Sequence, residues 1–185
     1  MKRIAQGKGF TAALRGLGRR FGGEGGNASL EFVILFPVIM TVFLSAFEVS
    51  VYLARQALLD RALDLAVRDL RLGQLDPPTQ EELKRRVCNG GMIFSDCMNT
   101  MTIELIRVSP DTWEVPETGV TCVNRDEEIA PVVDFTLGQA NDVMIVRACY
   151  VTDPFFATTP MVMDLPVDGT GAVQIVSAST YVNEP

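Results

Sequence analysis

Two acidic side chains bracket a stretch of chain in which nothing else is charged. Glu31 precedes the run Phe32–Phe47 and Glu48 follows it. A carboxylate at the edge of so apolar a segment is costly unless it meets an opposite charge or a set of hydrogen-bond donors. The other reactive side chains are four thiols, Cys88, Cys97, Cys122 and Cys149, at successive spacings of 9, 25 and 27. Four cysteines allow three disulfide pairings. We favour Cys88–Cys97, closing a small loop, and Cys122–Cys149, joining two strands. The alternative, a zinc site of four thiolates, lacks the usual closely spaced pair. No histidine occurs in the chain, which removes Ser-His and Cys-His nucleophiles and most zinc chemistry. Asp60 and Asp64 stand four apart on one helical face, but Arg61 and Arg68 beside them favour a surface charge network over an acid–base pair. Asp126-Glu127-Glu128 reads as a solvated loop without an EF-hand pattern. No glycine-rich phosphate loop follows a strand. The expectation is a protein that is not an enzyme and holds no cofactor or metal.

The elements that position these groups are legible from periodicity. The 16 uncharged residues from Phe32 to Phe47 cover roughly 24 Å as a helix, and a bilayer core of roughly 30 Å requires the flanking Ala28–Leu30 and Val49–Ala54 as well. Pro37 has no N–H to offer the Val33 carbonyl, so a kink is expected there. Beyond the span, Leu59, Leu63, Ala66 and Leu70 recur at spacings of 4, 3 and 4, an amphipathic stripe suited to a sheet or a partner helix. Gly73 and Pro77-Pro78 end the helix. One helix over Asn27–Leu72 is roughly 70 Å long. Thr79 with Glu82 forms a capping box for a short helix to about Val87. Four β-branched segments follow: Thr102–Val108, Gly119–Val123, Val143–Val151 and Ala172–Val182. The predicted fold class is α+β, a long N-terminal transmembrane and amphipathic helix packed on a small antiparallel sheet and stabilised by disulfides. Phe155-Phe156, beside Pro154 and Pro160, reads either as a contact loop or as a turn tucked into the core.

Charge divides the chain. Residues 1–26 carry a net charge of +5 against −7 for the whole protein, leaving −12 on the other 159 residues. A body that acidic is a poor partner for nucleic acid. The expected organisation is a basic, Gly-rich cytoplasmic leader (1–26), a transmembrane helix (27–54), its amphipathic extension (55–73) and an extracytoplasmic α+β domain (74–185). Basic residues on the N-terminal side place that end in the cytoplasm, and disulfides fit the oxidising side. Glu48 carries two readings: an intramembrane acid that pairs with a partner subunit, or a marker of the outer headgroup boundary, held there with Arg55.

Gly26-Asn27-Ala28-Ser29-Leu30-Glu31-Phe32 closes a basic leader with glycine, sets a carboxylate five residues on and opens an apolar helix. This resembles the prepilin-peptidase substrates of type IV pili and type II secretion. Cleavage after Gly26 would free an α-amine on Asn27, one helical turn from Glu31, and the pair would neutralise each other within a chain or between neighbours. The resemblance implies N-methylation of that amine. A wider pattern, with Glu31-Phe32, Pro37, Glu48 and the closing Ala66-Val67-Arg68, is similar to the TadE-like family of Tad (Flp) pilus assembly over residues 26–68. The leader is longer, and the helix more charged, than that pattern.

The resemblance implies a minor pilin or pseudopilin in the biogenesis or priming of a pilus. Its partners would be other pilins, the inner-membrane assembly platform, a prepilin peptidase and the lipid bilayer. Its place would be the bacterial inner membrane, single-pass, with the domain periplasmic and a further location in the extracellular pilus. Two alternatives stand beside it: an uncleaved membrane-anchored scaffold of the same machine, and a secreted or anchored protein with an ordinary signal peptide. The last conflicts with an apolar helix that runs past the weak small-residue site at Leu44-Ser45-Ala46.

Overall fold

A computed structural model describes residues 28–90, 94–115, 119–127, 131–159, 162, 165 and 167–184. The order of elements is α1 (Ala28–Arg71), α2 (Gln80–Gly90), α3 (Cys97–Thr100), β1 (Met101–Val108), β2 (Val143–Thr152) and β3 (Val173–Val182). The chain divides into two units between Phe43 and Leu44, and α1 contributes residues to each.

In the first unit α1 presents apolar side chains outward. Leu30, Phe32, Val33, Ile34, Leu35, Phe36, Val38, Ile39, Val42 and Phe43 are all exposed. Pro37 lies within the helix, and the Thr41 hydroxyl donates back to the Val38 carbonyl at 2.9 Å.

In the second unit the periodicity of α1 becomes its packing. Leu59, Leu63, Ala66 and Leu70 are buried, joined by Ala62 and Val67, in one core with Met101, Ile103, Leu105, Met144, Val146, Ala148, Tyr150, Ile175 and Tyr181. These strand residues alternate, as the pleat requires for side chains on one face. The core is therefore a helix stripe laid on one side of a sheet. The helix stops as its sequence directs: Gly73 takes a φ of +66°, and the amide of Gln74 reaches the Asp69 carbonyl at 2.9 Å while that of Gly73 reaches Leu70 at 3.1 Å. Only glycine adopts that left-handed position without strain. Thr79 caps α2 through its hydroxyl to the Glu82 amide at 3.3 Å, and α2 continues to Gly90, one turn beyond Val87.

The sheet has three strands in the order β1-β2-β3, both pairings antiparallel. The expected fourth strand, Gly119–Val123, is not one. The outer edge of β1 is occupied elsewhere, since the Leu105 amide donates to Asp134 at 2.9 Å and the Leu105 carbonyl accepts from Thr136 at 3.0 Å. Residues 119–123 lie over the second face of the sheet instead. There Val120 packs with Cys149, Val151 and Ala172, and the Thr121 carbonyl accepts from the Thr102 hydroxyl at 2.7 Å. Two disulfides complete the unit. Cys88–Cys97 ties the end of α2 to the start of α3, and Cys122–Cys149 ties this covering segment to β2. On the same second face Glu104 and Arg147, opposite each other in the register, form a nearly buried ion pair.

Candidate functional site

Gly26 and Asn27, the expected processing site, lie outside the described residues, as does Glu128 of the acidic cluster. Glu31 and Phe32 are on the first turns of α1. Phe32 is exposed and its ring lies 5.1 Å from that of Phe36, as residues four apart on a helix should. The segment that follows is long and apolar enough to cross a membrane: its most apolar window has a mean hydropathy of 2.3, and 6% of that window is buried. Apolar surface in such quantity and so little covered requires a lipid or protein environment. One N-terminal apolar helix therefore serves as a candidate membrane anchor.

Glu48, in the second unit, has a partner that sequence alone does not reveal. It is only 5% exposed. Its carboxylate accepts the Phe155 amide on both oxygens at 3.1 Å and the Phe156 amide at 3.1 Å. Ionised acceptors form the stronger class of hydrogen bond, and two successive amides on one carboxylate fix a loop in place. The loop's rings follow. Phe47 stands edge-on to Phe155 at 6.0 Å and to Phe156 at 6.1 Å. About two turns further along, Arg55 places its guanidinium 5.3 Å from the Phe155 ring centroid and donates to the Asp153 carbonyl at 3.2 Å. Phe155 stays exposed and Phe156 is half-buried, so the rings stack on the helix and neither enters the core.

A second tether holds the same loop from the other side. Arg125 donates to both oxygens of Asp153 at 3.0 and 2.7 Å, and also reaches Asp168 at 3.4 Å and the Thr170 hydroxyl at 2.6 Å. The Arg125 hydrogen bonds hold the Asp153 carboxyl below the usual carboxylate range, against a smaller upward push from burial. Burial likewise pushes Asp168 up, but the Thr170 hydroxyl, the amides of Ala172 and Thr170, and Arg125 together bring it below its ordinary value. The loop is thus clamped between α1 and the turn that leads into β3.

The remaining polar candidates resolve into structure. Asp60 accepts from Gln56 at 3.1 Å and Asp64 from the Ser179 hydroxyl at 2.8 Å; their partners among the described residues are these, and not the Arg61 and Arg68 that the sequence suggested. Asp69 instead pairs with Arg86 of α2 at 2.7 Å. Glu127 accepts from Asn124 at 2.9 Å. A cavity of about 590 Å³ opens among Gln80, Lys84, Met98, Thr102 and Glu127.

With that geometry in place, the family model for TadE-like protein matches residues 26–68. The matched segment contains Glu31, Phe32, Pro37 and Glu48 and ends at the exposed Arg68, between the buried Val67 and Leu70 of α1. It bears out the resemblance carried by those same residues. No curated protein and no solved structure matches the chain.

Proposed function

We propose, from the TadE-like segment at residues 26–68, that this protein is a minor pilin or pseudopilin acting in the biogenesis or priming of a Tad-type pilus, processed by a prepilin peptidase after Gly26. The observation that carries the reading is the pairing of that match with a helix whose apolar side chains are outward-facing from Leu30 to Phe43. A surface of this kind suits two successive environments, the bilayer before assembly and neighbouring helices after it. Glu31 gives the transfer its direction. A lone carboxylate at the hydrocarbon edge is destabilised in lipid, and a cation from a neighbouring subunit removes that penalty on assembly.

The protein acts in this reading without catalysis. It sits in the inner membrane with its N-terminus cytoplasmic and the disulfide-bonded unit periplasmic, and it contacts other pilins and the assembly platform. The decisive experiment is intact-mass analysis of protein recovered from membranes with and without a co-expressed prepilin peptidase. A peptidase-dependent chain that starts at Asn27 is the expected result, and Glu31→Ala should then abolish incorporation without affecting cleavage. A chain that retains Met1 under both conditions overturns the processed-pilin reading and leaves an uncleaved scaffold of the same machine.

A further inference from the structure

Phe47 is the last residue of the uncharged run, and its ring is 45% exposed. Phe155, a hundred residues later in the chain, is 60% exposed and stacked against it. Phe155 is held at this point by Glu48, which grips its amide and that of Phe156, together with the Arg125 tether on Asp153. Two large rings kept open to solvent by a rigid backbone clamp are an unfavourable arrangement in water. Beside them stands a cation, Arg55, whose only direct hydrogen bond among the described residues is to the Asp153 carbonyl. Arg55 forms no salt bridge among the described residues; it acts on the Asp153 carboxylate through space, while Arg125 holds that carboxylate bidentately. Its guanidinium lies over the Phe155 ring and, among the described residues, bonds only a carbonyl.

Rings beside a guanidinium that forms no salt bridge among the described residues, at the end of an apolar run, match the chemical profile of the zone between acyl chains and headgroups. Aromatic side chains settle at that depth, and arginine extends toward phosphate. We propose that Phe47, Phe155 and Arg55 form an interfacial anchor, in which the loop Asp153–Phe156 rests on the outer surface of the bilayer with Arg55 facing lipid phosphate. The inference rests on the membrane-anchor reading of α1. Its occupant is lipid and not a second protein, because the patch includes Phe47, the last residue of the uncharged run. The device would set how far the helix sinks: Phe47 and Glu48 come to rest at the boundary because the clamped loop does.

The test uses depth-dependent quenching of a single tryptophan in the full chain, reconstituted into phosphatidylcholine–phosphatidylglycerol vesicles. Trp113, the one native tryptophan and an exposed residue, is first replaced by Trp113→Phe. One reporter is Phe155→Trp and the other, within the span, is Phe36→Trp. Lipids brominated near the headgroup should roughly halve emission from the Phe155→Trp reporter, whereas deeply brominated lipids should quench the Phe36→Trp reporter more strongly. A quenched Phe36→Trp reporter beside a Phe155→Trp reporter that ignores bromine and stays open to aqueous acrylamide overturns the anchor while leaving the span intact. Bromine-insensitive emission that shifts to the blue as the protein-to-lipid ratio rises also overturns it, in favour of a second copy covering the patch. If the Phe36→Trp reporter itself is unquenched, the membrane-spanning reading fails and the inference falls with it.

Discussion

Replacing Glu48 by alanine should free the loop at Asp153–Phe156 while leaving the rest of its unit folded. Two amides lose a charged acceptor at 3.1 Å. A hydrogen bond to an ionised group is worth about 1.5–3 kcal/mol, and water recovers part of that once the loop lifts. A net cost of about 2–3 kcal/mol for local opening follows from these figures. Since about 1.4 kcal/mol is a factor of ten, protection of the Phe155 and Phe156 amides against hydrogen exchange should drop roughly 30- to 150-fold. The Arg125–Asp153 tether and the sheet do not depend on Glu48, so the Val146 amide in β2 should keep its rate. Glu48→Gln retains one acceptor oxygen and points an amino group at the amides, so its drop should be smaller. The assay is exchange measured by mass spectrometry or NMR in micelles. If Glu48→Ala leaves both loop amides within about threefold of the wild type, the carboxylate is not what holds the loop.

Three further outcomes rest on the packing, the disulfides and the acid pairs of the same unit. Leu63 is fully buried and Leu65 is half-exposed on the same helix; Leu63→Ala should cost about 2–5 kcal/mol in urea denaturation and Leu65→Ala about 0.5 or less, and equal costs would refute the packed stripe. Loss of Cys122–Cys149, with a separation of 27, should destabilise by about 3.5 kcal/mol when both residues become alanine, against about 2.5 for Cys88–Cys97, with a separation of 9. The reverse order in denaturant midpoints would count against the loop-entropy account. Asp153 and Asp168 both have pKa values lowered from 3.8 in the folded protein. A depressed carboxylate stabilises fully above its unfolded value and loses that contribution as pH falls through its folded one. Asp168→Asn should therefore be less stable than wild type at neutral pH, and the gap should close below pH 3.8, the ordinary value.

What the sequence revealed and what it hid separate along physical lines. Local rules worked where the cause is local. The stripe Leu59, Leu63, Ala66 and Leu70 is a property of helical spacing, Gly73 of backbone freedom, and Thr79 of its hydroxyl; each is where the pattern put it. The strands β1, β2 and β3 follow from β-branched runs in the same way. Gly119–Val123 has the composition of a strand, yet pairing needs a free edge, and 134–136 had taken the one on β1. The Glu48 clamp joins residues 107 and 108 positions apart, through backbone amides that any residue type would supply. No side-chain pattern can announce such a partner. The stacking of Phe155-Phe156 on Phe47 was hidden for the same reason, since its cause is the clamp and not the rings.

The composition of the core bears on how this protein reaches its compartment. The apolar stripe of α1 comes from residues 59–70, whereas the surfaces that cover it are supplied by β1, β2 and finally β3 at Val173–Val182. A chain threaded across a membrane from its N-terminal end exposes that stripe first and its last covering strand more than a hundred residues later. During that interval the stalk resembles a sticky amphipathic helix, prone to lie on the bilayer or to zip against another nascent copy. In the proposed periplasmic placement, export should therefore make a heavier demand on holding chaperones than the modest size of the chain suggests. That demand should lift abruptly once the final strand arrives.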